Sequence, residues 1–234
     1  SIPHLTAACL LFPSSLHSNH SMQIYWHGYS CVRIETETRI GPVSVITDPF
    51  DPETGVRFPK NLAPDLVILS HQEKKRFSMD FENKPFLIND PGEYEVKGVF
   101  VNGIAVPNPD KLHPHGVMYR LVIEGMSIGF LGGMDRVPTD KEIADLDAVD
   151  VLLVPVGGAG LLTPQQAMET ITRIEPRMVI PLGHYIEGMQ SESGHVDAFC
   201  QAMGACKRND VTKLKIQKKD LPADEMVITV LEKS

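Results

Sequence analysis

A chain of 234 residues, 42% of them hydrophobic, carries enough apolar material for one large α/β core. Its formal net charge of -8, with no basic run longer than Lys74-Lys75-Arg76, excludes general nucleic-acid binding, because a phosphate backbone calls for a broad basic face. No apolar stretch is long enough to span a bilayer as a helix. Four cysteines, Cys9, Cys31, Cys200 and Cys206, show neither zinc spacing nor a disulfide framework, so a reducing, cytoplasmic setting is expected.

Residues 1–21 are poorly patterned. The run from Leu5 to Phe12 is apolar apart from Thr6, but no basic region precedes it, which makes it a poor secretory signal. These residues read as a disordered, loosely docked or non-native extension, and His4, His17 and His20 within it carry little weight. Residues 22–234 read as one domain. Strand-like runs follow at 30–35, 43–48, 66–70, 86–89, 96–101 and 119–123, the last joined through Glu124-Gly125 to 127–131. Thr163 and Pro164 supply the cap and first turn of a helix whose buried face is Ala167, Ile171 and Ile174. A second helix is expected at 196–203, ending at Gly204, and 226–231 returns to strand patterning.

The run Leu66 to Leu69 suits a strand covered on both faces, and Ser70 and His71 stand at its C-terminal end, where α/β folds collect their working residues. Four further segments accompany it: Trp26-His27-Gly28-Tyr29-Ser30-Cys31, Val45-Ile46-Thr47-Asp48-Pro49-Phe50, Pro91-Gly92-Glu93-Tyr94-Glu95-Val96, and Asp150-Val151-Leu152-Leu153-Val154-Pro155-Val156-Gly157-Gly158. In this order they resemble the metallo-β-lactamase-fold superfamily, and more narrowly its ascorbate-phosphate-lactonase-like branch of small zinc-dependent hydrolases. The resemblance implies an αββα four-layer sandwich and, for active members, a dinuclear metal centre built on S-H-x-H-x-D-H after the strand. Histidine nitrogen and carboxylate oxygen suit zinc, and two neighbouring metals activate a shared water.

Carried onto this chain, only the first position of that motif survives, as His71. Glu73 stands for the second histidine, Lys75 for the aspartate and Arg76 for the last histidine. Asn108 follows the strand where relatives often place another histidine, and Gly133 in Phe130-Leu131-Gly132-Gly133 occupies the bridging-carboxylate position, the alternative being Asp135 brought into it by a local shift of two residues. The late I-P-x-H element persists as Ile180-Pro181-Leu182-Gly183-His184, with one additional residue. An ammonium on Lys75 about 5 Å from a dication would repel it by roughly 6–7 kcal/mol at an effective dielectric near 20. The expectation is therefore a homologue that has lost the dinuclear centre, needs no cofactor and serves as a non-catalytic or ligand-binding protein. The alternative is a hydrolase of a lactone or phosphoester with an atypical single-metal or metal-free site, in which His71, Glu73 and His184 approximate a zinc or manganese site.

Asp48 is expected to support the ligand loop by holding amides or a neighbouring side chain, and Glu93 to fix a turn. His27 and Tyr29 are expected near the same pocket. Lys74, Lys75 and Arg76 suit a small anionic ligand, or form a solvated loop. His113 and His115 are read as parts of a loop, and His195 as a surface or capping residue. A homo-oligomer is compatible with the sequence.

Overall fold

The computed structural model describes residues 21–51, 54–71, 81–107, 115–204, 206–208 and 211–234. In chain order the strands are β1 (Met22–Gly28), β2 (Cys31–Thr38), β3 (Gly41–Thr47), β4 (Leu66–Ile68), β5 (Phe86–Ile88), β6 (Gly92–Val96), β7 (Val99–Pro107), β8 (His115–Ile123), β9 (Met126–Phe130), β10 (Val151–Pro155), β11 (Met178–Leu182), β12 (Lys207–Arg208), β13 (Lys213–Ile216) and β14 (Val227–Val230). Among the described residues three α-helices join them, α1 (Asp140–Leu146), α2 (Pro164–Ile174) and α3 (Val196–Met203). One sheet runs β13-β1-β2-β3-β4-β5, and the other β12-β14-β11-β10-β9-β8-β7-β6.

Alternation sets the faces of the first sheet. In β2, Val32 and Ile34 are buried while Arg33 and Glu35 face outward, the period of a half-covered strand. In β10 and β11 all five residues are buried, as befits parallel strands covered on both faces. Between the sheets lies a core in which Ile24, Trp26, Ile34, Leu66 and Ile68 meet Tyr119, Leu121, Phe130, Leu153 and Ile180. A second cluster, with Met118, Leu152, Val154 and Val179 from the strands and Ala167, Ile171 and Phe199 from the helices, seals the outer face of the larger sheet. This is the mixed α/β sandwich that the sequence implies. Among the described residues the outer face of the first sheet is filled instead by loop side chains, with Phe50, Val56, Phe58 and Met189 packed on Cys31 and Ile46.

Local signals explain the helices. Thr163 and Gln166 close a reciprocal capping box, and Pro164 occupies the first turn, where its missing N–H costs nothing. Gly204, at φ 79°, ends α3 in the left-handed region. α1 carries the same kind of box, Thr139 with Glu142, but buries only Glu142 and Leu146, too little periodicity to stand out in the sequence.

Three expectations are corrected. The run at 96–101 is two strands, since Lys97 and Gly98 both take positive φ (49° and 77°) and turn the chain between β6 and β7. Glu93 consequently lies within β6, opposite Asn102, and not in a turn. Cys200 and Cys206 are joined by a disulfide, because the left-handed turn at Gly204 folds the chain back and brings their Cα atoms to 5.3 Å. Cys31 is free and fully buried. The inference of a reducing setting from cysteine spacing loses its basis. Among the described residues no helix is long and apolar enough to cross a membrane.

Candidate active site

The loops that could do chemistry gather where the parallel strands end, the usual position in open α/β sheets. Strand β3 leads into Asp48, whose φ of 34° is rare for a residue other than glycine but tolerated by aspartate. That conformation turns its carboxylate across to the end of β4, while its own N–H donates to the Ile68 carbonyl at 2.9 Å. Asp48 Oδ1 accepts from the Ser70 amide at 2.7 Å, and Oδ2 accepts from the Ser70 hydroxyl at 2.5 Å. The Tyr119 hydroxyl donates to the Leu69 carbonyl at 2.8 Å, anchoring the same corner from the other sheet.

Ser70 Oγ has two further neighbours, the Gly133 N–H at 3.1 Å and His71 Nδ1 at 2.9 Å. A hydroxyl has one hydrogen to give and two lone pairs to fill. With Asp48 ionised, that hydrogen goes to the carboxylate, since a carboxylate only accepts. The Gly133 N–H only donates, so the remaining lone pair receives Nδ1–H of His71. In that arrangement a neutral imidazole would carry its proton on Nδ1 and a lone pair on Nε2. Burial lifts the Asp48 carboxyl above the usual carboxylate range, against the lowering influence of the His71 imidazole and of the two Ser70 donors.

Glycine makes this geometry accessible. At Gly132, φ is 58° and an added Cβ would lie 2.0 Å from Ser70 Cβ and 2.2 Å from its Oγ, so no side chain fits. The Gly132 carbonyl accepts from Ser30 Oγ at 3.1 Å, tying the β1–β2 turn to the same loop. Gly133 is different: it is exposed, and a Cβ there would stand 3.7 Å from His71 Nδ1, an ordinary contact. A side chain at 133 would thus abut the surviving histidine, and this chain has none.

His184 is 5% exposed and packs its ring on Trp26 with centroids 4.2 Å apart, while Nδ1 lies 3.3 Å from the Tyr185 carbonyl. The residue before it, Gly183, has φ 66°, and its N–H donates to Tyr29 O at 2.9 Å. His27 and Tyr29 serve elsewhere. Strand alternation turns Tyr25 and His27 to the outer face, where His27 Nδ1 meets Ser234 Oγ at 2.8 Å and its ring lies 6.0 Å from that of Phe58. Tyr29 donates to the Thr54 carbonyl at 2.9 Å and packs on Phe50. His195 precedes α3 without a side-chain cap bond, and its ring lies 4.8 Å from that of Tyr185.

The readings of Glu73, Lys74, Lys75, Arg76, Asn108 and His113 lie outside the described residues, as does the side chain of His115. Among the described residues no three His, Cys, Asp or Glu side chains converge where they could hold a metal ion.

Residues 23–183 match the model of the Beta-lactamase superfamily domain, more than half of the chain. The chain belongs to that superfamily. A UPF0173 protein of Pyrococcus abyssi is 25% identical over 202 residues, covering 74% of this chain and 88% of the relative. A UPF0173 metal-dependent hydrolase of Thermoplasma acidophilum is 25% identical over 201 residues, covering 70% and 84%. Among solved structures, one from Thermotoga maritima, described as a Zn-dependent hydrolase of the metallo-beta-lactamase superfamily, aligns with a TM-score of 0.74 at 26% identity. That alignment covers 90% of this chain and 98% of the other. These names favour the hydrolase alternative over a non-catalytic protein.

From the sequence, Ser70 stands beside His71 at a working strand end without an assigned role, and Ser30 and Gly132 are not singled out as site residues. The one signal was the adjacency of Ser70 to His71 at a strand end.

Proposed function

We propose that this superfamily member is a hydrolase of an ester-type bond, a lactone or a phosphoester, whose working atom is Nε2 of His71, serving as ligand to a single metal ion. The observation that carries this reading is the hydrogen-bonded chain from Asp48 through Ser70 to His71. Metal-binding histidines characteristically give their second N–H to a carboxylate or its relay, which fixes ring and tautomer and raises the basicity of the ligating nitrogen. A chain of this kind has little purpose for a histidine that merely fills a loop. The relatives named metal-dependent hydrolases support the same chemistry.

The described donors do not fit a dinuclear centre. Gly133 offers no carboxylate beside His71, and no described trio of donors converges. A single ion held by His71 together with Glu73 and His184 is the candidate set, two histidines and a carboxylate being sufficient for some catalytic zinc sites. Bound there, a metal ion supplies Lewis-acid polarisation of the scissile carbonyl or phosphoryl oxygen. The chain's own part is positional. Asp48 and Ser70 keep the lone pair of Nε2 available, the buried Asp48 carboxylate stabilises positive charge accumulating on the imidazole, and Gly132, lacking a side chain, leaves the space that the Ser70 hydroxyl fills among its three partners.

The test pairs metal content with activity. Protein purified with added zinc or manganese is expected to retain about one equivalent and to hydrolyse at least one member of a lactone, phosphodiester and β-lactam panel. Both properties should fall tenfold or more in Ser70→Ala, as is typical when a supporting residue is removed, and disappear in His71→Ala. Binding of two equivalents overturns the single-metal reading, whereas no metal and no turnover favours the non-catalytic ligand-binding reading suggested by Gly133.

A further inference from the structure

Strand β5 is the outer edge of the first sheet, and among the described residues no strand pairs with its far side. Its pairing with β4 uses the Phe86 N–H, which donates to Asp65 O at 2.9 Å, and the Ile88 carbonyl, which accepts from Leu69 N at 2.8 Å. Residues 86 and 88 therefore direct their backbone groups inward. By alternation Leu87 directs its N–H and C=O outward, with Pro85 and Asn89 on the same side. Phe86 and Leu87 are 51% and 52% exposed, unusual for large apolar residues on a strand with an open edge.

We infer that β5 is a self-complementary docking edge, pairing antiparallel with β5 of a second copy of this chain about a two-fold axis at Leu87. The segment Lys84-Pro85-Phe86-Leu87-Ile88-Asn89-Asp90 has the required symmetry. With Leu87 opposite its own equivalent, the two Leu87 residues exchange a pair of N–H···O bonds. Asn89 N–H of each copy then faces the Pro85 carbonyl of the other, so the proline's missing N–H removes a donor only at the rim. Phe86 comes opposite Ile88, and exposed Lys84 comes opposite exposed Asp90, so both ends of the ribbon carry an opposite-charge pair. Lysine and proline are common protections of an edge strand. Here they stand at one end, and among the described residues nothing bonds the outward groups of Leu87.

Area sets the strength. Phe86 and Leu87, each half exposed, contribute on the order of 200 Å² of apolar surface per copy, far below the roughly 800 Å² per partner of a standard stable interface. The dimer is accordingly a weak, concentration-dependent one, with a dissociation constant on the order of tens to hundreds of micromolar.

Sedimentation velocity of the full chain from about 5 to about 500 μM reads that equilibrium. Wild type is expected to shift from monomer toward dimer across the range. Leu87→Lys, which sets two ammonium groups against each other at the axis, should stay monomeric with unchanged circular dichroism. Lys84→Asp and Asp90→Lys should each weaken association roughly tenfold, and mixing the two should restore it, because the mixed pair again opposes unlike charges. A wild type that stays monomeric throughout overturns the inference. So does a dimer indifferent to Leu87→Lys, or a mixture of the charge variants that associates no better than either alone.

Discussion

Replacement of His27 by leucine isolates one buried histidine whose protonation opposes folding. The ring is 1% exposed, and burial, with Arg33 and then Lys233 adding to it against the opposing Ser234 contact, lowers its pKa from 6.5 to about 4. Unfolded chains take up the proton near pH 6.5 while the folded chain resists until about pH 4, so the unfolded state binds more protons throughout that window. Stability attributable to His27 is therefore intact above pH 6.5, declines as pH falls and is fully lost below about 4. A displacement from 6.5 to about 4 corresponds to about 3 kcal/mol at 1.36 kcal/mol per unit. At neutral pH the substitution loses the 2.8 Å contact with Ser234 but also removes Nε2, a buried nitrogen with no hydrogen-bond partner among the described residues, so the two changes nearly offset. Urea denaturation of both proteins at half-unit steps from pH 7.5 to 4 measures the difference directly. Titrations elsewhere cancel in it, and the leucine variant should gain about 3 kcal/mol on wild type between pH 7 and 4. A difference that stays flat with pH would refute the assignment of a neutral, proton-resisting His27.

Three further substitutions probe other parts of the fold. Gly132→Ala forces a Cβ to within 2.0 Å of Ser70 at a φ of 58°, and should cost upwards of about 2 kcal/mol in thermal or chemical denaturation while displacing the hydroxyl that orients His71. Gly133→Asp places a carboxylate where only ordinary contacts lie, 3.7 Å from His71 Nδ1 at the Cβ, and should raise zinc affinity at least about tenfold by calorimetry. Cys206→Ser opens a link between residues six apart in sequence, and should lower stability by about 2 kcal/mol relative to the oxidised wild type. Reduced wild type should then unfold at the same denaturant concentration as the variant.

Much of the architecture is legible in short windows. The alternation of Val32, Arg33, Ile34 and Glu35, the continuous apolar run beginning at Leu66 and the Thr163-Pro164 helix start each report a local periodicity or cap, and each became the expected element. The hairpin at Lys97-Gly98 escaped because a single non-glycine residue in the left-handed region leaves the apolar pattern almost unchanged. Helix α1 escaped because a seven-residue helix with one buried apolar side chain carries almost no periodic signal.

The sequence by itself determined the strand that delivers Ser70 and His71 to an α/β rim, the apolar faces that make the sandwich, and the absence of side chains at positions 132 and 133, since these depend on neighbours a few residues away. Only the tertiary structure brought Ser70 Oγ between Asp48, Gly133 and His71 Nδ1. Asp48 lies 22 residues before Ser70, and Gly133 63 residues after it. It likewise removed His27 from the site by pairing it with Ser234, 207 residues away. Local sequence sets where the backbone travels, whereas proton positions follow from donors and acceptors that meet only after the sheets have closed.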